Sequence, residues 1–176
     1  MLTFILIGVA VLVAALLAYA ATRPGTLVVS RTATLNTPPE KVYAIVADFH
    51  RWVEWSPYEV RDPAMKRTLS GAAQGLGAVY EWDGNKAVGA GRMEIIDAPA
   101  PHKLTMKLDF LRPFVGHNRA EYTFTPTAAG GTQVTWAMTG PSPFVQKLMG
   151  VFVDMDNMIG RDFATGLANL KALAEK

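Results

Sequence analysis

His102-Lys103-Leu104-Thr105-Met106-Lys107-Leu108-Asp109-Phe110-Leu111 changes polarity at nearly every step. Leu104, Met106, Leu108 and Phe110 fall on one parity, and Lys103, Thr105, Lys107 and Asp109 on the other. Successive side chains of a strand point to opposite faces, so the run predicts a strand in a sheet with one covered face and one wet face. Outward from it, residues 65–70, 77–82, 89–97, 117–125 and 132–139 read as further strands. Asp83-Gly84-Asn85, Pro99-Ala100-Pro101 and Ala129-Gly130-Gly131 supply tight turns between them, the spacing of antiparallel neighbours.

Upstream, residues 26–36 place Leu27, Val29, Ala33 and Leu35 on one parity and predict a first strand. Thr37-Pro38-Pro39-Glu40 then predicts a helix to about Ala47, with Thr37 as its N-cap, prolines in its first turn and an acid at its positive end. Phe49 to Tyr58 carries Trp52, Trp55 and Tyr58 and closes on Ser56-Pro57, which predicts a short helix running into a loop. Downstream, residues 143–176 repeat apolar side chains at three and four: Phe144, Leu148, Val151, Phe152, Met155, Met158, Ile159, Phe163, Leu167, Leu170 and Leu173. The spacing predicts one long amphipathic helix covering the sheet, bent or closely packed at Gly150, Gly160 and Gly166.

Residues 2–21 contain no charged side chain and would form a helix of about 30 Å, the thickness of a bilayer core. The expected organisation is a transmembrane anchor over residues 1–22, a linker Arg23-Pro24-Gly25, and one α+β domain over residues 26–176. Arg23 and Arg31 follow the segment and no Lys or Arg precedes it, which by the positive-inside bias places the domain in the cytoplasm. Ala18-Tyr19-Ala20 resembles a cleavage site, so the alternative is an exported domain with residues 1–20 as a cleaved signal peptide. The chain has no cysteine, which removes disulfides and thiolate chemistry. With 17 basic against 15 acidic residues and no basic block, it lacks the footprint of a nucleic-acid binder.

The order of a strand, two short helices, six strands and a C-terminal helix resembles the helix-grip fold of the START-like superfamily. Within it the chain is similar to the bacterial SRPBCC proteins grouped with polyketide cyclases and lipid-transport domains. The likeness is carried by Thr37-Pro38-Pro39-Glu40-Lys41-Val42-Tyr43, by Asp48-Phe49-His50-Arg51-Trp52-Val53-Glu54-Trp55-Ser56-Pro57-Tyr58, by Tyr80-Glu81-Trp82-Asp83-Gly84-Asn85 with Gly89-Ala90-Gly91-Arg92-Met93-Glu94-Ile95, and by Gly160 through Lys171. It implies a curved sheet of about seven strands gripping the C-terminal helix around an apolar cavity. A hydrophobic small molecule, a lipid, isoprenoid or polyketide-like compound, is then the expected partner. The side chains expected to line the cavity are Trp52, Trp55, Tyr58, Trp82, Met93, Met106, Phe110, Trp136, Met138, Phe152 and Met155. The same aromatic and methionine residues equally serve as ordinary core.

Other chemistries lack their residues. His50, His102 and His117 stand apart without a ligand spacing, so no metal or cofactor is expected. There is no Gly-x-Ser-x-Gly elbow, and Gly71-Ala72-Ala73-Gln74-Gly75-Leu76-Gly77 joins two strands without the Lys-Ser/Thr of a phosphate loop. It reads as a flexible loop at the cavity mouth. The remaining polar set is Glu81 with Arg92 and Glu94 across a hairpin. Facing the cavity, Glu81 and Arg92 would suit the acid/base work of a cyclase or dehydratase; facing out, they form a solvated salt bridge. Met93 and Ile95 are the natural inward residues, which favours the outward arrangement. His117 and Asn118 open a strand within reach of a ligand, or sit in an exposed turn.

Overall fold

The computed structural model describes residues 1–176. Helix α1 (Leu2–Thr22) leads into β1 (Thr26–Leu35), α2 (Pro39–Ala47) and a 3-10 helix, Phe49–Glu54. Six strands follow: β2 (Lys66–Gly71), β3 (Ala78–Asp83), β4 (Ala90–Asp97), β5 (Lys103–Arg112), β6 (Gly116–Pro126) and β7 (Thr132–Pro141). Helices α3 (Phe144–Phe152) and α4 (Met155–Ala174) close the chain. All strand pairs are antiparallel, in the order β1-β7-β6-β5-β4-β3-β2, so the first strand is brought to an edge beside the last.

The alternation read in β5 is realised: Leu104, Met106 and Leu108 are buried, Phe110 is half-buried, and Lys107 is exposed on the other face. Thr105 departs from it, being buried on the outer face beside the β4–β5 register shift. The inner face carries the core. Helix α4 covers it at the β1 and β7 edge, α2 lies over β6, and the 3-10 helix packs on β3, with Trp52 reaching Tyr80 and Tyr122. At the centre, Trp136 stacks on Phe163 of α4 (4.0 Å, 9°) and on Tyr122 (5.0 Å, 27°). Trp55 meets both sheet rings edge-on, and such pairs add about 0.5–1.5 kcal/mol beyond area burial.

Two expectations are corrected. The C-terminal apolar run is two helices: Val153 is extended and the Asp154 carboxylate accepts from the Asn157 amide at 2.9 Å, capping α4. A local cap competes with helix continuation, so the three-and-four pattern crosses the break without one helix carrying it. The close packing lies farther along. A Cβ on Gly166 would sit 2.7 Å from Trp136 Cζ3 and 3.0 Å from Pro57 Cδ, and one on Gly160 would strike the Arg31 guanidinium. Thr37 does not cap α2, whose N-cap is Pro38; its hydroxyl donates instead to the Ala174 carbonyl at 3.2 Å. That bond and the one from the Thr132 hydroxyl to the Thr37 carbonyl (2.6 Å) tie α2, β7 and the end of α4 together.

Helix α1 is long and apolar enough to cross a membrane, and it lies near the N-terminus, where a signal sequence has the same character. Only Ala20 is buried and Leu16 half-buried along it. Four features share the sheet end where α1 joins β1: the end of β7, the β5–β6 turn, the β3–β4 turn and the start of α3.

Candidate functional site

The inner face is graded along its length. At the end away from α1, Leu35, Leu104 and Val134 are 0 % exposed. Midway, Tyr122, Trp136, Met93 and Met106 are buried. At the α1 end, Leu27, Trp82 and Phe110 are only half-buried, with Ile159 of α4 beside the same core. Glycines clear room there. The Trp82 ring lies over Gly91, where a Cβ would meet both the indole and, at 2.5 Å, the Asp109 carbonyl oxygen. The Asn118 amide occupies the space a Cβ on Gly140 would need. The indole is fixed by its donation to the Val88 carbonyl (3.1 Å) and by an edge-on contact with Phe110 (5.9 Å, 83°).

Two polar atoms in this apolar interior have no partner: the Tyr122 hydroxyl and the Trp55 Nε1. Both residues are essentially unexposed, and burial pushes the Tyr122 phenol well above its usual range. Tyr58 lies close enough to add to that shift. Its own phenol is raised first by burial and then by Asp162, with Arg61 opposing. Unmet buried donors cost free energy, so they are natural points for a polar group of a guest.

Of the expected lining residues, Trp52, Trp55, Tyr58, Trp82, Met93, Met106, Phe110, Trp136 and Met138 are brought together on the inner face and its cover. Phe152 is not: it is 72 % exposed at the end of α3, because the helix ends there and Val153 is extended. Met155, in the first turn of α4, is half-buried and outside the core. The trio Glu81, Arg92 and Glu94 lies on the outer face, opposite the parity of Met93 and Ile95. Arg92 donates to Glu94 at 2.8 Å along one strand, while Glu81 is exposed across from Arg92 with no bond to it. Facing solvent, these side chains cannot serve an interior acid/base step. Asn118 does reach the inner face, its Nδ2 3.8 Å from Met138 Sδ, whereas His117 pairs outward with Asp109 at 2.7 Å. The 71–77 loop is at the sheet end opposite the half-buried Leu27, Trp82 and Phe110, tied by Gly75 N to the Ala47 carbonyl (2.9 Å) and Gly77 N to the Ile95 carbonyl (2.8 Å). It borders a recess of about 290 Å³ with Phe49, His50 and Leu69. A polar recess of about 390 Å³ lies at the start of α4 between Arg61, Asp154, Asn157 and Arg161.

One buried polar cluster escapes sequence reading. Glu59, 7 % exposed, accepts from the Tyr80 hydroxyl at 2.6 Å and from Arg67 Nε at 2.6 Å. Arg67 also donates to the Met65 carbonyl at 2.7 Å, and burial followed by the Glu59 bond raises the Tyr80 phenol. The cluster pins the loop that carries Trp55 and Tyr58 to strands β2 and β3. Glu59 lies in a segment without periodicity, and only the neighbouring aromatic run hinted that this loop would be covered.

Comparison with known proteins bears on this geometry. The family model described as polyketide cyclase / dehydrase and lipid transport matches residues 26–175. No curated protein matches the chain. Among solved structures, protein CV1439 from Chromobacterium violaceum is similar at 16 % identity and TM-score 0.59, covering 87 % of this chain and 99 % of its own. The Aha1 dimer from Colwellia psychrerythraea matches at 13 % identity and TM-score 0.61, over 85 % and 96 % of the two chains. The di-domain ARO/CYC StfQ from the steffimycin biosynthetic pathway matches at 14 % identity and TM-score 0.64, over 85 % of this chain and 51 % of that one. At such identities the likeness establishes the fold alone. The family match spans the whole grip, from the first residue of β1 to the end of α4, and by it this chain belongs to the polyketide cyclase/dehydrase and lipid-transport family.

Proposed function

We propose that the protein is a membrane-anchored carrier that holds a hydrophobic small molecule between the inner face of its sheet and the cover formed by α4 and the 3-10 loop. The observation that carries the reading is the burial gradient. The inner face is fully buried at Leu35, Leu104 and Val134 and only partly buried at Leu27, Trp82 and Phe110, the end at which α1 joins the sheet. A guest leaving a bilayer would meet that end first, and tethering keeps the mouth at high effective concentration over membrane lipids. Its apolar body would replace contacts among Trp82, Phe110, Met138 and Ile159, and methionine and aromatic side chains adapt readily to such exchange. A polar end could accept from the Tyr122 hydroxyl or the Trp55 Nε1, both of which lack a partner.

The chain's four tryptophans, Trp52, Trp55, Trp82 and Trp136, all border this interior, so intrinsic fluorescence reports on it directly. Titrating the detergent-solubilised full chain with a dibrominated fatty acid is expected to quench them saturably at one equivalent. Quenching that rises without saturation, as from collision in the micelle, would overturn the reading.

A further inference from the structure

Helix α3 is amphipathic, yet it presents its apolar side to the outside. Phe144, Val145, Met149 and Phe152 fall within one continuous arc of the helix and are all exposed, Phe152 at 72 % and Val145 at 66 %. Gln146, Lys147, Leu148, Gly150 and Val151 are half-buried, so the shielded side mixes polar and apolar groups, with Gln146 Oε1 fully enclosed and unpartnered. A helix on the surface of a water-soluble domain turns large apolar side chains such as Phe144, Val145, Met149 and Phe152 toward the core. The side turned inward packs on α1, whose Ala20 and Leu16, one turn apart, are its only shielded residues. Arg23, just past the end of α1, donates to the Gly150 carbonyl at 3.2 Å, and Ser142 N donates to the Gly25 carbonyl at 2.9 Å. Helix α3 is thereby fixed beside the last turns of α1.

The β5–β6 turn comes to the same sheet end and exposes Phe114 (69 %) and Val115 (72 %). Two separate elements thus turn exposed apolar side chains outward at the end from which α1 departs.

We infer that α3 is a second membrane contact, lying in the interfacial region of the bilayer with Phe144, Val145, Met149 and Phe152 immersed and the β5–β6 turn touching down beside it. The inference rests on α1 spanning that bilayer, because the contact between the two helices sets the depth of α3. An interfacial helix buries its apolar face roughly 5–10 Å into the headgroup and acyl boundary, the level at which the final turns of a spanning helix sit. This second contact fixes the domain's tilt. It holds the less buried end bearing Leu27, Trp82 and Phe110 against the lipid, where a single tether would leave the domain free to swing.

The absence of native cysteine allows clean single-site labelling of the full chain. Variants Val145→Cys, Phe152→Cys, Leu12→Cys and Ala129→Cys carry a nitrobenzoxadiazole label in phosphatidylcholine/phosphatidylglycerol nanodiscs, read with a shallow doxyl-lipid quencher and with aqueous iodide. The labels at 145 and 152 are expected to show at least about threefold more lipid quenching than the one at 129, in the distant β6–β7 turn, and to be shielded from iodide. If both match position 129 while position 12 is in lipid, the docking inference fails and the anchor stands. If position 12 lies in water, the anchor reading fails and the docking inference that rests on it falls with it.

Discussion

Replacing Glu59 by Gln tests whether the buried cluster beneath the aromatic loop holds the cover of the grip in place. The carboxylate accepts two hydrogen bonds, from the Tyr80 hydroxyl and from Arg67 Nε, both at 2.6 Å, and Arg67 Nη2 completes the ion pair at 2.5 Å. Gln retains one neutral acceptor, so the Tyr80 bond weakens and the guanidinium loses its counter-ion. Hydrogen bonds to charged groups contribute about 1.5–3 kcal/mol, and breaking a buried pair costs about 3–5 kcal/mol. Arg67 keeps 26 % of its side chain in solvent, which draws the expected loss to about 3 kcal/mol, the lower end of that range. For a domain of this size that corresponds to a fall in Tm of roughly 6–12 °C. It is also a urea midpoint lower by about 1–2 M, read from tryptophan fluorescence of the full chain in detergent. Glu59→Leu combined with Arg67→Met leaves no lone charge and should lose less than the sum of the single changes, with a coupling of about 1–2 kcal/mol. A Glu59→Gln loss below about 0.5 kcal/mol would mean that water screens the cluster as it does a surface pair, and the cover is then held by ring packing alone.

Alkaline titration followed by tyrosinate absorbance provides a second test. Tyr43, Tyr58, Tyr80 and Tyr122 all have phenols raised above 10.0, burial being the first cause for each. Groups with raised folded-state values stabilise the fold below the unfolded value, and that contribution drains away as pH climbs above it. At pH 11 the folded chain should show fewer tyrosinates than the same chain unfolded in urea, the difference appearing on unfolding; equal ionisation in the two states contradicts it. Gly91→Ala should push the Trp82 indole off its seat, since the Asp109 carbonyl at 2.5 Å cannot yield, at a cost of about 1–3 kcal/mol and with a changed tryptophan emission maximum. Arg92→Ala and Glu94→Ala should each stay within about 1 kcal/mol and leave brominated-lipid quenching unchanged, as a solvent-facing pair requires; loss of quenching would return them to the site.

The sheet was legible because period-two alternation and turn residues are local properties: each strand from β2 to β7 lies within two residues of its expected span. The inward set was legible for the same reason, as Met93, Met106, Trp136 and Met138 follow parity. Phe152 was misplaced because apolar spacing of three and four persists across the cap at Asp154, and only the capping hydrogen bond reveals the break. Thr37 was misread because its hydroxyl has a stronger claim on it from a carbonyl far away in sequence, that of Ala174. The Glu59 cluster joins a loop to two strands, and the exposed apolar arc of α3 is fixed only by its packing on α1. Neither has a signature within a single segment.

Native mass spectrometry of the full chain, extracted from cells in mild detergent, is the sharpest test of carriage. The expected spectrum contains the protein mass plus one discrete apolar adduct, reduced in Gly91→Ala and retained in Arg92→Ala. Bare protein in every preparation, with exogenous lipid failing to generate the adduct, would contradict a carrier function and leave the domain a closed scaffold.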